Sequence, residues 1–161
     1  LSNVSGAEIQ RAAAMMEKAK TIYLVGQLRS APIVLLLQYV LTMLGKPNVL
    51  LSEGGGLATH RAKLATPNDL LLAVSFRFYA NEVVNIMEDS ANRGVPILAI
   101  SDSTLSPLAK NADLLFSVPE YEYTFSRSLA APMCLAQALA IALASRLQKE
   151  NAPRIPTVTQ P

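Results

Sequence analysis

The stretch Asp69-Leu70-Leu71-Leu72-Ala73-Val74-Ser75-Phe76-Arg77-Phe78-Tyr79 decides the fold. Its core, Leu70–Val74, is apolar at every position and therefore on both faces of a strand. A sheet with one wet face alternates apolar and polar residues, so this run points to a central parallel strand covered by helices on both sides. Asn68 and Asp69 turn the chain into it. Working outward, Thr21–Val25, Val49–Leu51, Val95–Ile100 and Asp113–Val118 read as further strands. Between them lie helix patterns at Ala7–Lys20, Arg29–Leu44, Thr59–Ala65, Asn81–Asn92 and Arg127–Gln148. Ser30 stands near the start of the second helix, with Pro32 in its first turn and Gly45 at its end. Ser106-Pro107 opens a short turn of helix, and Pro119–Tyr123 is irregular and acidic. Strand spacings of roughly 20–27 residues leave room for right-handed crossover helices. The expected fold is α/β: a three-layer, doubly wound sandwich on a five-stranded parallel sheet in the flavodoxin-like order 2-1-3-4-5.

At 161 residues the chain holds one domain, expected over 1–150, with a proline-containing tail at 151–161 that carries Pro153, Pro156 and Pro161. Leu1-Ser2-Asn3-Val4 reads as an internal boundary, which leaves an upstream domain open. Hydrophobic residues make up 51% and charged residues only 16%, which excludes a disordered chain and points to a surface partly covered by another subunit. The net charge is +2, and the arginines and lysines are scattered rather than gathered into a nucleic-acid arm. Cys134 is the only cysteine, which excludes an internal disulfide or a cysteine metal cluster; it is expected to be buried. The apolar run Leu129–Leu147 contains Pro132, Gln137, Ser145 and Arg146, so its uninterrupted part is shorter than the ~20 residues of a membrane span. A buried or subunit-facing helix is expected there. No basic segment followed by an apolar one opens the chain, and the expected location is cytoplasmic, with no membrane partner.

In a sheet of this order the ligand crevice lies beyond the carboxyl ends of the first and third strands, where the strand order reverses. Gly26-Gln27-Leu28-Arg29-Ser30 and Ser75-Phe76-Arg77-Phe78-Tyr79 leave the sheet there. The candidate ligand-binding residues are Gln27, Arg29, Ser30, Ser75, Arg77 and Tyr79, joined by Ser52 and Glu53 from the exit of the second strand. Helix-start N–H groups and hydroxyls donate to an anion, and a guanidinium grips a phosphate or carboxylate with two parallel bonds. Each has a plainer alternative. The serines could cap helices, the arginines could pair with surface or intersubunit carboxylates, the Tyr79 ring could simply pack, and Glu53 could be a solvated turn acid. Asp102 is expected to organise its own turn. His60, the only histidine, is read as structural or exposed. Gly54-Gly55-Gly56 matches neither nucleotide fingerprint. No catalytic residue, cofactor or metal site is assigned.

The order and spacing of three segments resemble the sugar isomerase, or SIS, domain, and more narrowly the effector domain of RpiR-type bacterial transcription regulators. They are Ala19–Ser30, Asp69–Tyr79, and Ile100–Ala109 followed by Ala112-Asp113, and the resemblance spans Ala7–Gln148. The family's first loop reads G-x-G-x-S; this chain keeps Gly26 and Ser30 but has Leu28 at the middle glycine. Its phosphosugar loop reads S-x-S-G-x-T-x-E; Ser75 and Glu82 match, whereas Arg77, Phe78 and Ala80 replace the second serine, the glycine and the threonine. The resemblance implies an SIS effector-binding domain that binds a phosphorylated or acidic sugar, forms a homodimer, and acts on DNA only through a preceding helix-turn-helix domain. The alternative it leaves open is a phosphosugar isomerase using Glu53 or His60 for proton transfer.

Overall fold

In the computed structural model the chain is described over residues 4–118 and 128–151. The elements are α1 (Gly6–Lys18), β1 (Ile22–Val25), a 3-10 turn at Leu28–Ser30, α2 (Ala31–Met43), β2 (Asn48–Leu50), α3 (Leu57–Ala62) and β3 (Leu70–Val74). They continue with α4 (Asn81–Asn92), β4 (Ile97–Ser101), a 3-10 turn at Pro107–Lys110, β5 (Leu114–Ser117) and α5 (Ala130–Asn151). All strand pairs are parallel and the order is β2-β1-β3-β4-β5, as the pattern of Leu70–Val74 predicts.

The period of two along each strand divides the core into two layers. Ile22, Leu24, Leu70, Leu72, Val74, Leu98 and Ile100 join α1, α2 and α5 on one face of the sheet. Tyr23, Val25, Leu71, Ala73, Ile97 and Ala99 join α3 and α4 on the other. Two aspartates fasten strand entries. Asp69 is 7% exposed; its Oδ1 accepts from the Thr21 N–H, and its Oδ2 accepts from the Thr66 N–H and hydroxyl. Asp113 Oδ2 accepts from the Ile97 N–H at 2.8 Å.

Several boundaries differ from expectation for local reasons. The second helix begins at Ala31, not Arg29, because Leu28–Ser30 form a tighter turn; Ser30 itself is αR and makes no side-chain cap. α3 runs two residues earlier at its start and stops at Ala62. Gly55 and Gly56 take φ of +66° and +83° and release the chain straight into the helix. α1 ends at Lys18, because Ala19 is extended and the Lys20 N–H bonds Asn68 O at 2.8 Å on the way into β1. Cys134 is exposed, not buried: α5 turns Leu135, Leu139 and Leu143 inward, and residue 134 falls off that stripe.

α5 is also more continuous than its sequence promised. Ala130–Lys149 is 20 residues long and its most apolar 18-residue stretch has a mean hydropathy of 1.5, long and apolar enough to cross a bilayer. Its apolar stripe instead packs in the core beside α1 and α2. The helix reaches Asn151, one residue into the expected tail. The rest of that tail, the segment Pro119–Tyr123 and the expected helix start at Arg127 lie outside the described residues.

Asp69 joins the entries of β1 and β3, so Asp69→Ala leaves three donors without their acceptor. The expected cost is about 2–3 kcal/mol of stability, read from the urea midpoint.

Candidate ligand-binding site

β1 lies between β2 and β3. The chain leaves it through α2 on one face and leaves β3 through α4 on the other. The two exit loops therefore diverge and open a crevice between them. This cleft measures about 210 Å³ and is lined by Gln27, Leu28, Arg29, Ser30, Ser75, Phe76, Arg77, Phe78 and Ala80. Its volume is below the ~300–1,000 Å³ usual for drug-sized ligands and suits a small polar one.

Gly26 starts the first loop under close constraint. A Cβ there would stand 3.0 Å from Val34 Cγ1 and 3.2 Å from Ser30 O, so a side chain at this position would push the start of α2 away by a few tenths of an ångström. Leu28, at the family's middle glycine, has φ +53°. That backbone is left-handed, a conformation that side chains other than glycine seldom adopt. The Leu28 side chain is 88% exposed.

Arg29 crosses the cleft. Its Nη2 donates to Arg77 O at 3.0 Å, and its guanidinium carbon lies 5.2 Å from the centre of the Phe76 ring, a cation–π contact. Ser30 and Ser75 are buried. Ser75 Oγ accepts from the Ala80 N–H at 3.3 Å, which leaves its own proton to donate. The second loop is tied to β4: Ser101 Oγ donates to Ser75 O at 2.8 Å, the Arg77 N–H donates to Asp102 Oδ2 at 3.3 Å, and Tyr79 Oη donates to Asp102 Oδ1 at 2.6 Å. Burial and then the Asp102 bond push the Tyr79 hydroxyl up to about 12. Because that value lies above the usual 10.0, the stability this bond lends is complete below about pH 10 and is lost as pH rises toward 12.

Five of the eight sequence-derived candidates thus meet in the cleft: Gln27, Arg29, Ser30, Ser75 and Arg77. Three do not line it. Tyr79 is engaged with Asp102. Ser52 is exposed, and Glu53 pairs with Arg61. Asp102 is more than a turn residue, since it holds the Arg77 loop from across β4. Glu82 was recognised only as a match to the family loop; it accepts from Gln27 Nε2 at 3.2 Å and from Thr59 Oγ1 at 3.5 Å. No spacing rule could reveal that contact, because it joins three elements far apart in the chain. Among the described residues no three His, Cys, Asp or Glu side chains cluster as a metal site requires.

A larger depression, about 510 Å³, lies at the other end of the strands between Met15, Lys18, Lys20, Pro67, Asp69 and Pro96. Asp69 is already committed to three donors and both lysines are exposed, so volume alone does not make it the site.

The SIS domain family matches residues 15–142. This chain belongs to the SIS domain family. Among solved structures, the SIS chain is similar to the sugar isomerase domain of an RpiR transcription factor from Sphaerobacter thermophilus. The two share 28% identity at a TM-score of 0.87, over 92% of this chain and 83% of that one. The Vibrio vulnificus NanR protein, solved in complex with ManNAc-6P, is 20% identical at a TM-score of 0.79 over 94% of this chain, which spans 61% of NanR. Phosphoheptose isomerase GmhA from Neisseria gonorrhoeae is 15% identical at a TM-score of 0.73, over 92% and 89% of the two chains. The last two likenesses are of fold alone. No curated protein matches the sequence.

Restoring the family glycine tests the first loop. Leu28→Gly relieves about 1–2 kcal/mol of left-handed strain and adds about 0.5–1 kcal/mol of backbone entropy cost. The net expectation is a gain of about 0–1.5 kcal/mol in urea unfolding; a clear loss would mean the loop is not strained at Leu28.

Proposed function

We infer that this SIS domain is the effector-sensing part of a transcription regulator. It binds a phosphorylated or acidic sugar and relays occupancy through a homodimer to a preceding helix-turn-helix domain. The observation that carries the reading is the exposed side chain of Arg77, a cleft-lining residue that stands where the family loop has its second serine. That side chain makes no hydrogen bond or ion pair with a described residue, whereas Arg29 is committed to Arg77 O. The serine hydroxyls supply neutral donors beside that charge, and an anion with attached hydroxyls complements the set. The likeness at 28% identity to the RpiR domain supports a regulator over an enzyme. An isomerase needs a base at the bound sugar. Glu53 is paired with Arg61 and His60 is exposed, and neither lines the cleft. A cytoplasmic location follows from this reading.

The homodimer is supported by an apolar stripe on α2. Leu35, Tyr39 and Met43, four residues apart and so on one helix face, are 50%, 64% and 66% exposed. The expected contribution of α5 is smaller than its sequence indicates, because Leu135, Ala136, Leu139, Ala140 and Leu143 are already inside the monomer core. Ile141 remains outward, at 71% exposure. Sedimentation at tens of micromolar protein should give a dimer, and Tyr39→Glu should shift it toward monomer. A monomeric mass for the unaltered chain would reject the assembly.

Calorimetry against sugar phosphates and sugar acids should find a saturable ligand without turnover, and this chain alone should show no sequence-selective binding of duplex DNA. Arg77→Ala should weaken that ligand about ten- to 150-fold, from about 1.5–3 kcal/mol of charge-assisted bonding, with fold and assembly intact. Arg77→Lys keeps charge but loses the fork and should fall between. Equal affinity in all three proteins would remove Arg77 from the site, and sugar conversion by the purified chain would favour the isomerase.

A further inference from the structure

Gln27 is the only side-chain amide among the residues lining the cleft. An amide has two chemically different ends, and which end meets the ligand decides what ligand is accepted. A carboxylate offers only lone pairs, so an amide bonded to it must present its NH2 group. Gln27 Nε2 donates to Glu82 Oε2 at 3.2 Å. The other oxygen of Glu82 accepts from Thr59 Oγ1 at 3.5 Å. Glu82 sits half-buried in the first turn of α4 and does not line the cleft. It stands behind Gln27 and joins the β1 exit to α3 and α4. No described residue donates to Gln27 Oε1, the acceptor that remains.

The other polar side chains of the cleft-lining residues can all donate: Arg29 and Arg77 only donate, and the hydroxyls of Ser30 and Ser75 donate as well as accept. Gln27 Oε1 is the one side-chain atom of these lining residues that can only accept, which makes it a poor partner for a second anionic oxygen and a good one for a hydroxyl. We propose that Glu82 is a positioning and specificity residue that holds the Gln27 amide with its NH2 inward, so that Oε1 selects ligands carrying a hydroxyl beside their anionic group. This rests on the reading of the cleft as a sugar-anion site and deepens it, since small diacids that offer only acceptors are thereby disfavoured.

The test uses the whole chain as wild type, Glu82→Gln and Gln27→Met. The probes are the 6-phosphates of glucose, mannose and N-acetylmannosamine, the singly fluorinated analogues of whichever binds, and inorganic phosphate. Fluorine replaces a hydroxyl donor with a group that can only accept. In wild type, fluorine at one ring position should weaken binding about tenfold or more, the worth of one hydrogen bond to a buried acceptor. In Glu82→Gln the amide is free to turn, and that penalty should shrink to about twofold, as it should in Gln27→Met, where the acceptor is absent. Affinity for inorganic phosphate should be the same in wild type and Glu82→Gln. A merely structural Glu82 would weaken every probe alike and leave the fluorine penalty unchanged, which overturns the proposal. In the free protein, the side-chain amide resonance of Gln27 should move on Glu82→Gln; an unmoved resonance also overturns it, independently of any ligand. If no sugar phosphate binds, the sensing reading falls and the specificity proposal with it. If sugar phosphates bind with an unchanged penalty, only the role of Glu82 falls.

Discussion

β3 has no residue facing water: Leu70 through Val74 are each at most 1% exposed. A strand buried on both faces needs hydrogen-bonded neighbours on both edges and a helical layer above and below. β1 and β4 supply the edges; α1, α2 and α5 supply one layer, and α3 and α4 the other. Parallel pairing then brings every strand exit to the same end of the sheet. The loops after β1 and β3 turn to opposite faces, and the gap between them is the cleft. The position of the site is thus a consequence of how the central strand is covered, before any ligand chemistry enters.

What holds the cleft in shape is mostly main chain. Arg29 reaches a backbone carbonyl of the facing loop, Ser101 reaches the Ser75 carbonyl, and Asp102 takes a backbone N–H together with the Tyr79 hydroxyl. Arg77 contributes only its backbone N–H and carbonyl to these fastenings, so its side chain can change without loosening the loop from β4. The family pattern spends hydroxyl and glycine N–H donors on its ligand. Here Arg77, Phe78 and Ala80 stand at the positions of the pattern's second serine, glycine and threonine. In the first loop, Leu28 takes a left-handed backbone at the position where the family pattern has glycine.

The low charge of the sequence, 16%, has a visible counterpart on the surface. Leu35, Tyr39 and Met43 form one exposed stripe on α2, while Leu28, Phe78 and Leu105 are 88%, 91% and 92% exposed on loops leaving β1, β3 and β4. Apolar side chains placed together at one helix face are seldom left bare in a lone subunit.

Much of this organisation was legible in the chain itself. The apolar run at β3, the recurring strands and the turn residues between them determined the layer order and the end of the sheet where Gln27, Arg29, Ser30, Ser75 and Arg77 gather, because periodicity and crossover handedness are local properties with few global solutions. Helix ends were less legible at Leu28–Ser30 and at α3, where a tight turn or a pair of left-handed glycines shifts the boundary by a residue or two. The tertiary structure alone decided which way individual side chains point. It removed Tyr79 to Asp102, paired Glu53 with Arg61, exposed Cys134 and set Glu82 behind Gln27. Those contacts join residues separated by up to 55 positions, as in Gln27 and Glu82. Their choice depends on the geometry of packed helices and loops, which no local pattern of residue types encodes.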